Sequence, residues 1–211
     1  MRTLIPLALA VLFLACSDDD SDSEPIPQPQ PRTSIVDAAF ESALVDLGLD
    51  DAVDGGVVTA SVSFIRELNV DGRGITNLTG IEAFAALENL SVRNNALTTL
   101  DVSRNTSLLF VWAENNQLES VTIGPNPDFE KLGLSGNRMT GLDVADYPAL
   151  QLLTLADNAV TGIDVSTNSL LNTFAIEGNP LSCILVSPQQ LASIPPNWSK
   201  DAEDTYALDC P

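Results

Sequence analysis

Residues 87–97 run Leu87-Glu88-Asn89-Leu90-Ser91-Val92-Arg93-Asn94-Asn95-Ala96-Leu97, a unit of the form L-x-x-L-x-L-x-x-N-x-L. Its first position returns at Leu108, Phe129, Leu150 and Leu171, each 21 residues after the last. Asn95, Asn116, Asn137, Asn158 and Asn179 keep the same step, as do the pairs Leu90/Val92, Val111/Ala113, Leu132/Leu134, Leu153/Leu155 and Phe174/Ile176. A degenerate copy starts 22 residues earlier at Ile65, with Leu68, Val70 and, in place of asparagine, Arg73. A fixed period of this length predicts a repeat architecture before any secondary structure is read. The x-L-x-L-x core alternates with period two, so it is a short strand with its leucines inward. One repeat cannot bury those leucines alone; stacking makes a continuous core. The asparagine turns inward, where its amide satisfies backbone groups of neighbouring turns. The five asparagines are therefore read as a structural ladder.

The unit resembles the signature of leucine-rich-repeat proteins, over residues 64–182 and about six copies. The resemblance implies a solenoid with short parallel strands on one face and mostly irregular or short extended segments opposite. The stretch from Ile75 to Leu87, with Gly80-Ile81-Glu82-Ala83-Phe84, resembles the first-repeat segment of internalin-like bacterial proteins. The second half of each unit is patterned too: Leu100-Asp101-Val102, Val121-Thr122-Ile123, Leu142-Asp143-Val144 and Ile163-Asp164-Val165 predict a second row of extended segments. Asp101, Asp143 and Asp164 then form a column. Calcium sites need six or more converging oxygens, so each aspartate is read as bonding its own turn's backbone, and no metal is expected.

A solenoid exposes leucines at both ends unless capped. Residues 35–63 supply the first cap: Asp37 as helix N-cap, Phe40, Leu44 and Leu47 on one helical face, Gly48 as the stop, and a short strand near residues 57–60. Residues 183–211 supply the second. With Cys16 assigned below to an anchor, Cys183 and Cys210 remain as an expected disulfide, tying a tail with Pro195-Pro196, Trp198 and Tyr206 across the open core.

The amino terminus carries a separate message. Met1-Arg2 and the apolar run Leu4–Ala15 read as a signal peptide over residues 1–15, too short to span a bilayer. Phe13-Leu14-Ala15-Cys16 resembles a bacterial lipobox, which implies lipidation of Cys16. The acidic run Ser17-Asp18-Asp19-Asp20 resembles the surface-export signal of lipoproteins from the Bacteroidetes group. Residues 16–34 are then a tether, with proline at every second position from Pro25 to Pro31 enforcing an extended spacer. The expectation is a monomeric protein lipid-anchored in a bacterial outer membrane and facing outward.

Composition narrows the function. The 211 residues carry a formal charge of −20 and no histidine. Such a surface repels nucleic acid, and triads built on histidine are excluded. No cofactor and no catalytic residue is expected, since carboxylates on an open face lack anything to exclude water or shift a pKa.

Binding is expected at the variable strand positions. Trp112 and Phe110 stand out on one strand, with Leu152 two strands away and Ser91 and Gly133 leaving room around the indole. That composition suits a hot spot, with Arg93, Glu114 and Lys131 as its polar rim. A protein or polymer ligand is the first expectation. A glycan is the alternative, as in an accessory lipoprotein of a polysaccharide-capture system.

Overall fold

The computed structural model describes residues 29–210. The expected signal peptide (1–15), Cys16 and the acidic run lie outside the described residues. In chain order the elements begin with strand β1 (Arg32–Ser34), helix α1 (Ala38–Asp46), β2 (Gly56–Val58) and α2 (Thr59–Val62). Then follow β3 (Glu67–Asn69), β4 (Asn89–Ser91), β5 (Thr99–Val102), β6 (Phe110–Trp112), β7 (Ser120–Ile123) and β8 (Lys131–Gly133). The series continues with β9 (Leu152–Thr154), β10 (Gly162–Asp164), β11 (Thr173–Ala175) and β12 (Cys183–Leu185). Helix α3 (Pro188–Ala192), β13 (Asn197–Ser199) and β14 (Tyr206–Ala207) come last.

Seven strands form one parallel sheet in the order β3-β4-β6-β8-β9-β11-β13. Its register sets Leu68, Leu90, Val111, Leu132, Leu153, Phe174 and Trp198 side by side. Together with the columns from Val70 to Ile176 and from Leu87 to Leu171 they make a single buried core. The protein is a leucine-rich-repeat solenoid. It has one more turn than the sequence pattern counts, because the C-terminal cap supplies β13: Trp198 takes the place of the inward leucine, and its indole N–H donates to the Leu171 carbonyl at 3.1 Å.

Each ladder asparagine joins two turns. Asn137 Nδ2 donates to Leu134 O of its own turn (2.8 Å) and to Ala113 O of the preceding one (3.0 Å), while Oδ1 accepts from Leu118 N (2.9 Å). Asn116, Asn158 and Asn179 repeat this arrangement. Asn95 accepts from both Arg73 N and Ile75 N, which explains how the first turn manages with an arginine at the ladder position. The residue before each rung, Asn94, Asn115, Gly136, Asp157 or Gly178, has positive φ, a conformation that glycine, asparagine and aspartate tolerate best.

A second buried column escaped the sequence pattern. Asn105 donates to Ile81 O and Phe84 O, Asn168 to Val144 O and Tyr147 O, and Gln190 to Val165 O and Asn168 O. Asn126 bonds Leu108 O, and Tyr147 stands in the same column with its hydroxyl donating to Ile123 O at 2.9 Å.

The opposite row of strands is interrupted. β5 pairs with β7, and β10 with β12 and then β14, but Leu142–Val144 forms no strand. The bulkier Tyr147 replaces an asparagine beside that segment, and its hydroxyl occupies the Ile123 carbonyl. Asp101, Asp143 and Asp164 accept from the backbone N–H two residues on, at 2.9, 3.0 and 2.8 Å, which is the turn-capping role read from the sequence.

The caps close both ends. Asp37 Oδ1 caps α1 through Ala39 N and Phe40 N, while Oδ2 accepts from Thr76 N, Thr76 Oγ1 and Asn77 N. One carboxylate thus pins the cap helix to the first repeat. Burial pushes its pKa up, but the Thr76, Phe40 and Ala39 hydrogen bonds outweigh that and hold it below the ordinary aspartate value. Glu41, only 2% exposed, accepts from three successive amides, Asp54 to Gly56. β1 lies inside the stretch assigned to the tether and pairs antiparallel with β2, so the cap begins at Arg32. Leu47 also departs from expectation. It is 45% exposed, because α1 ends at Asp46 and Gly48 turns the chain at φ 71° before another helical step can carry Leu47 inward. At the other end the Cys183–Cys210 disulfide forms as expected.

Two outcomes are expected. Asn137→Ala strands two carbonyls and one amide in the core, so urea unfolding should lose roughly 3 kcal/mol or more. Asp37→Asn keeps a capping oxygen but turns an amide toward the Thr76 and Asn77 donors, and should cost about 1–2 kcal/mol at pH 7. Because the folded pKa of Asp37 is depressed, its contribution is full above the ordinary aspartate pKa of about 3.9 and is lost as pH falls through the folded value. The gap between wild type and variant in thermal melts should therefore be constant from pH 7 to 5 and close below pH 4.

Candidate binding site on the strand face

The pleat aims alternate residues of the seven-stranded sheet outward. From the N-terminal end these are Glu67/Asn69, Asn89/Ser91, Phe110/Trp112, Lys131/Gly133, Leu152/Thr154 and Thr173/Ala175. Phe110 and Trp112 lie together on β6, half-buried, with Lys131 beside Phe110 and Leu152 beside Lys131 in register. Arg93 and Glu114 hold one column just past the strands, 21 residues apart and so on adjacent turns.

The solenoid's spacing makes these columns interact. The Arg93 guanidinium lies over the Trp112 ring at 4.8 Å from its centroid, and Arg93 Nε donates to Glu114 Oε2 at 2.9 Å. Lys131 Nζ sits 4.6 Å from the centre of the Phe110 ring. Asp71 Oδ1 accepts from Ser91 Oγ (2.8 Å) and from Arg93 N (2.7 Å). A chain of polar contacts thus runs Asp71–Ser91–Arg93–Glu114 across three turns, with Trp112 beneath the arginine.

The room expected around the indole is taken. A β-carbon on Gly133 would lie 2.4 Å from Glu114 Oε1 and 2.9 Å from a Trp112 ring carbon, so both side chains lean over that glycine. Each aromatic ring carries a cation on one face, an interaction worth about 0.5–1 kcal/mol at a partly exposed site. The sequence-derived residues therefore form two clusters, Arg93/Trp112/Glu114 and Phe110/Lys131, with Leu152 flanking the second.

The sequence reading missed the concavity next to the first cluster. A groove of about 490 Å³ lies where the N-terminal cap meets the strand face, walled by Leu47, Leu49 and Ile65, lined by Glu67 and Asn69, and reaching Trp112. Its signal in the sequence was Leu47 and Leu49 astride Gly48, directly after the end of a helix. A second cavity, about 400 Å³, lies on the other side of the coil around Glu82, Asp101 and Arg104. There the Ser103 hydroxyl and amide hold the Asp101 carboxyl below its ordinary value against burial, with Arg104 adding attraction. Among the described residues no three His, Cys, Asp or Glu side chains converge as metal ligands would.

No family model matches the sequence, and no curated protein does. Solved structures do match. The functional domain of InlJ from Listeria monocytogenes, which includes a cysteine ladder, superposes with a TM-score of 0.65 at 25% identity over 75% of this chain. The match spans 39% of that protein's chain. Internalin C2 from the same organism matches 81% of this chain and 92% of its own at 18% identity and a TM-score of 0.47. The structural neighbours are thus internalin-type leucine-rich-repeat proteins.

The cation over the indole has a readable consequence. Arg93→Ala should uncover Trp112 and raise acrylamide quenching of tryptophan fluorescence, since the other tryptophan, Trp198, stays buried at 8% exposure. The unfolding free energy should change by no more than about 1 kcal/mol. Unchanged quenching would show that the stacked pair does not persist in solution.

Proposed function

We propose that this chain is a recognition module that binds a protein ligand through the N-terminal half of its strand face. The observation that carries the reading is the juxtaposition of the Arg93–Trp112–Glu114 cluster with a concave groove. Arginine and tryptophan at the edge of a pocket are the residues that most often dominate binding energy. The far half of the face is small and featureless by comparison, with Gly133, Thr154 and Ala175 in the corresponding column.

The glycan alternative loses support from the same geometry. Stacking on a sugar needs an open ring face, and both rings have a cation laid across one. A catalytic reading has less support: Glu114 is committed to Arg93 and Asp71 to Ser91 and the Arg93 amide, and Glu67 is solvent-exposed at the mouth of the groove. The proposed setting is a lipoprotein of the Bacteroidetes type, monomeric, anchored through Cys16 to an outer membrane with the solenoid outward. The amino-terminal sequence supports this setting.

The test presents immobilised chain, wild type and Phe110→Ala/Trp112→Ala, to protein extracts and to glycan arrays. Capture of a protein that drops at least tenfold in the folded double variant is expected. Protein capture that survives the double substitution would refute the strand-face site, and glycan hits lost in the variant would select the alternative.

A further inference from the structure

The terminal strand β3 has β4 on one side and, among the described residues, no strand on the other. Its hydrogen-bonding phase is fixed by its partner. Arg66 O accepts from Asn89 N, and Val70 N and Gly72 N donate to Ser91 O and Arg93 O, each at 2.9 Å. The even-numbered residues therefore face β4, and by alternation Glu67 and Asn69 turn their N–H and C=O groups to the open side. The groove borders that edge, between Leu47, Leu49 and Ile65 and the outward side chains of Glu67 and Asn69, and extends over the strand face to Trp112. An unpaired strand edge is a template for an added strand, and this one adjoins a concavity of about 490 Å³ with apolar walls at Leu47, Leu49 and Ile65.

The polar groups of the groove point to the chemistry of an occupant. Glu67 is exposed and has no ion-pair partner among the described residues, whereas Arg93 is committed to Glu114. Asn89 Oδ1, also in the groove lining, is buried and lacks a hydrogen-bond partner. Both are acceptors. The surrounding chain carries a net charge of −20, so the field favours a cation.

We infer that the groove binds an extended, basic peptide segment of a partner protein, which adds to β3 as an eighth strand and alternates large apolar with lysine or arginine side chains. The apolar side chains enter between Leu47, Leu49 and Ile65, and the cations meet Glu67. This rests on the strand face being a binding surface and names the partner chemistry of its N-terminal end.

The test uses the full-length chain and a fluorescein-labelled hexapeptide of alternating lysine and leucine, followed by anisotropy. Comparison peptides are the glutamate/leucine analogue and the lysine/leucine peptide N-methylated at every interior residue, which cannot pair as a strand. Saturable binding at least tenfold tighter than either comparison peptide is expected. Glu67→Lys and Leu47→Ser should each weaken it at least fivefold, while Glu203→Lys, with the same change in charge, leaves it unaltered. Equal binding of the N-methylated peptide, equal effects of Glu67→Lys and Glu203→Lys, or no saturable binding would each overturn the inference. If the hexapeptide fails while protein capture still depends on Phe110 and Trp112, this inference falls and the strand-face reading stands. Capture indifferent to those two residues would instead remove the strand-face reading on which the inference rests.

Discussion

A coil only one turn thick must satisfy, every 21 residues, the backbone groups that its bends leave inside an apolar core. An unpaired buried carbonyl or amide costs about 1–3 kcal/mol, and a turn without a rung would leave several. The asparagine amide answers this with donors and an acceptor on one short side chain. Because Nδ2 reaches the carbonyls of two turns and Oδ1 an amide of the preceding one, each rung fixes both the bend of its own turn and the spacing to its neighbour. The leucine positions accept other apolar side chains, as Val111, Phe129, Phe174 and Trp198 show. The ladder position has far less latitude, and the first turn, which lacks the residue, borrows Asn95 from the next.

That spacing is what turns sequence columns into chemistry. Residues 21 apart come to lie about one strand separation from each other, so Arg93 meets Glu114 and overlies Trp112 with no long-range folding event required. The same regularity brings Asp71, Ser91 and Arg93 into one hydrogen-bonded line. A recognition surface built this way is rigid because its scaffold is, which lowers the ordering cost of binding.

The pattern L-x-x-L-x-L-x-x-N-x-L was legible because it repeats, and with it came the sheet, the ladder and the aspartate turns; the Cys183–Cys210 bridge was legible separately, from the cysteine count. The second polar column was less legible for a chemical reason. Its five members are Asn105, Asn126, Tyr147, Asn168 and Gln190, three residue types doing one job, so only the period links them. Trp198 was hidden likewise: the seventh strand follows two prolines and lacks a leucine, yet its ring fills the inward slot. The site was half legible. Phe110 and Trp112 declare themselves as aromatics among small polar residues, but their covering cations depend on side-chain direction, which a column of letters does not give. Leu47 looked like a third helical core position because the periodicity does not announce where a helix ends.

The two ends of the sheet are treated differently, and the difference bears on where binding occurs. β13, the C-terminal edge, is preceded by Pro195 and Pro196 and followed by Lys200, whose Nζ lies over Tyr206. Prolines remove donors and a lysine resists desolvation, the usual means by which an edge is kept from pairing. β3 has neither device. Its flanks are Ile65-Arg66 and Val70-Asp71, and in place of a covering strand it has the leucines of the cap, standing off far enough to leave a groove. An open edge beside apolar walls is an aggregation hazard unless something else restrains it, and here the restraint is charge: Glu67 and the acidic chain around it repel a second copy of the same edge. The two edges thus present different groups: proline and lysine at β13, and a carboxylate beside apolar walls at β3.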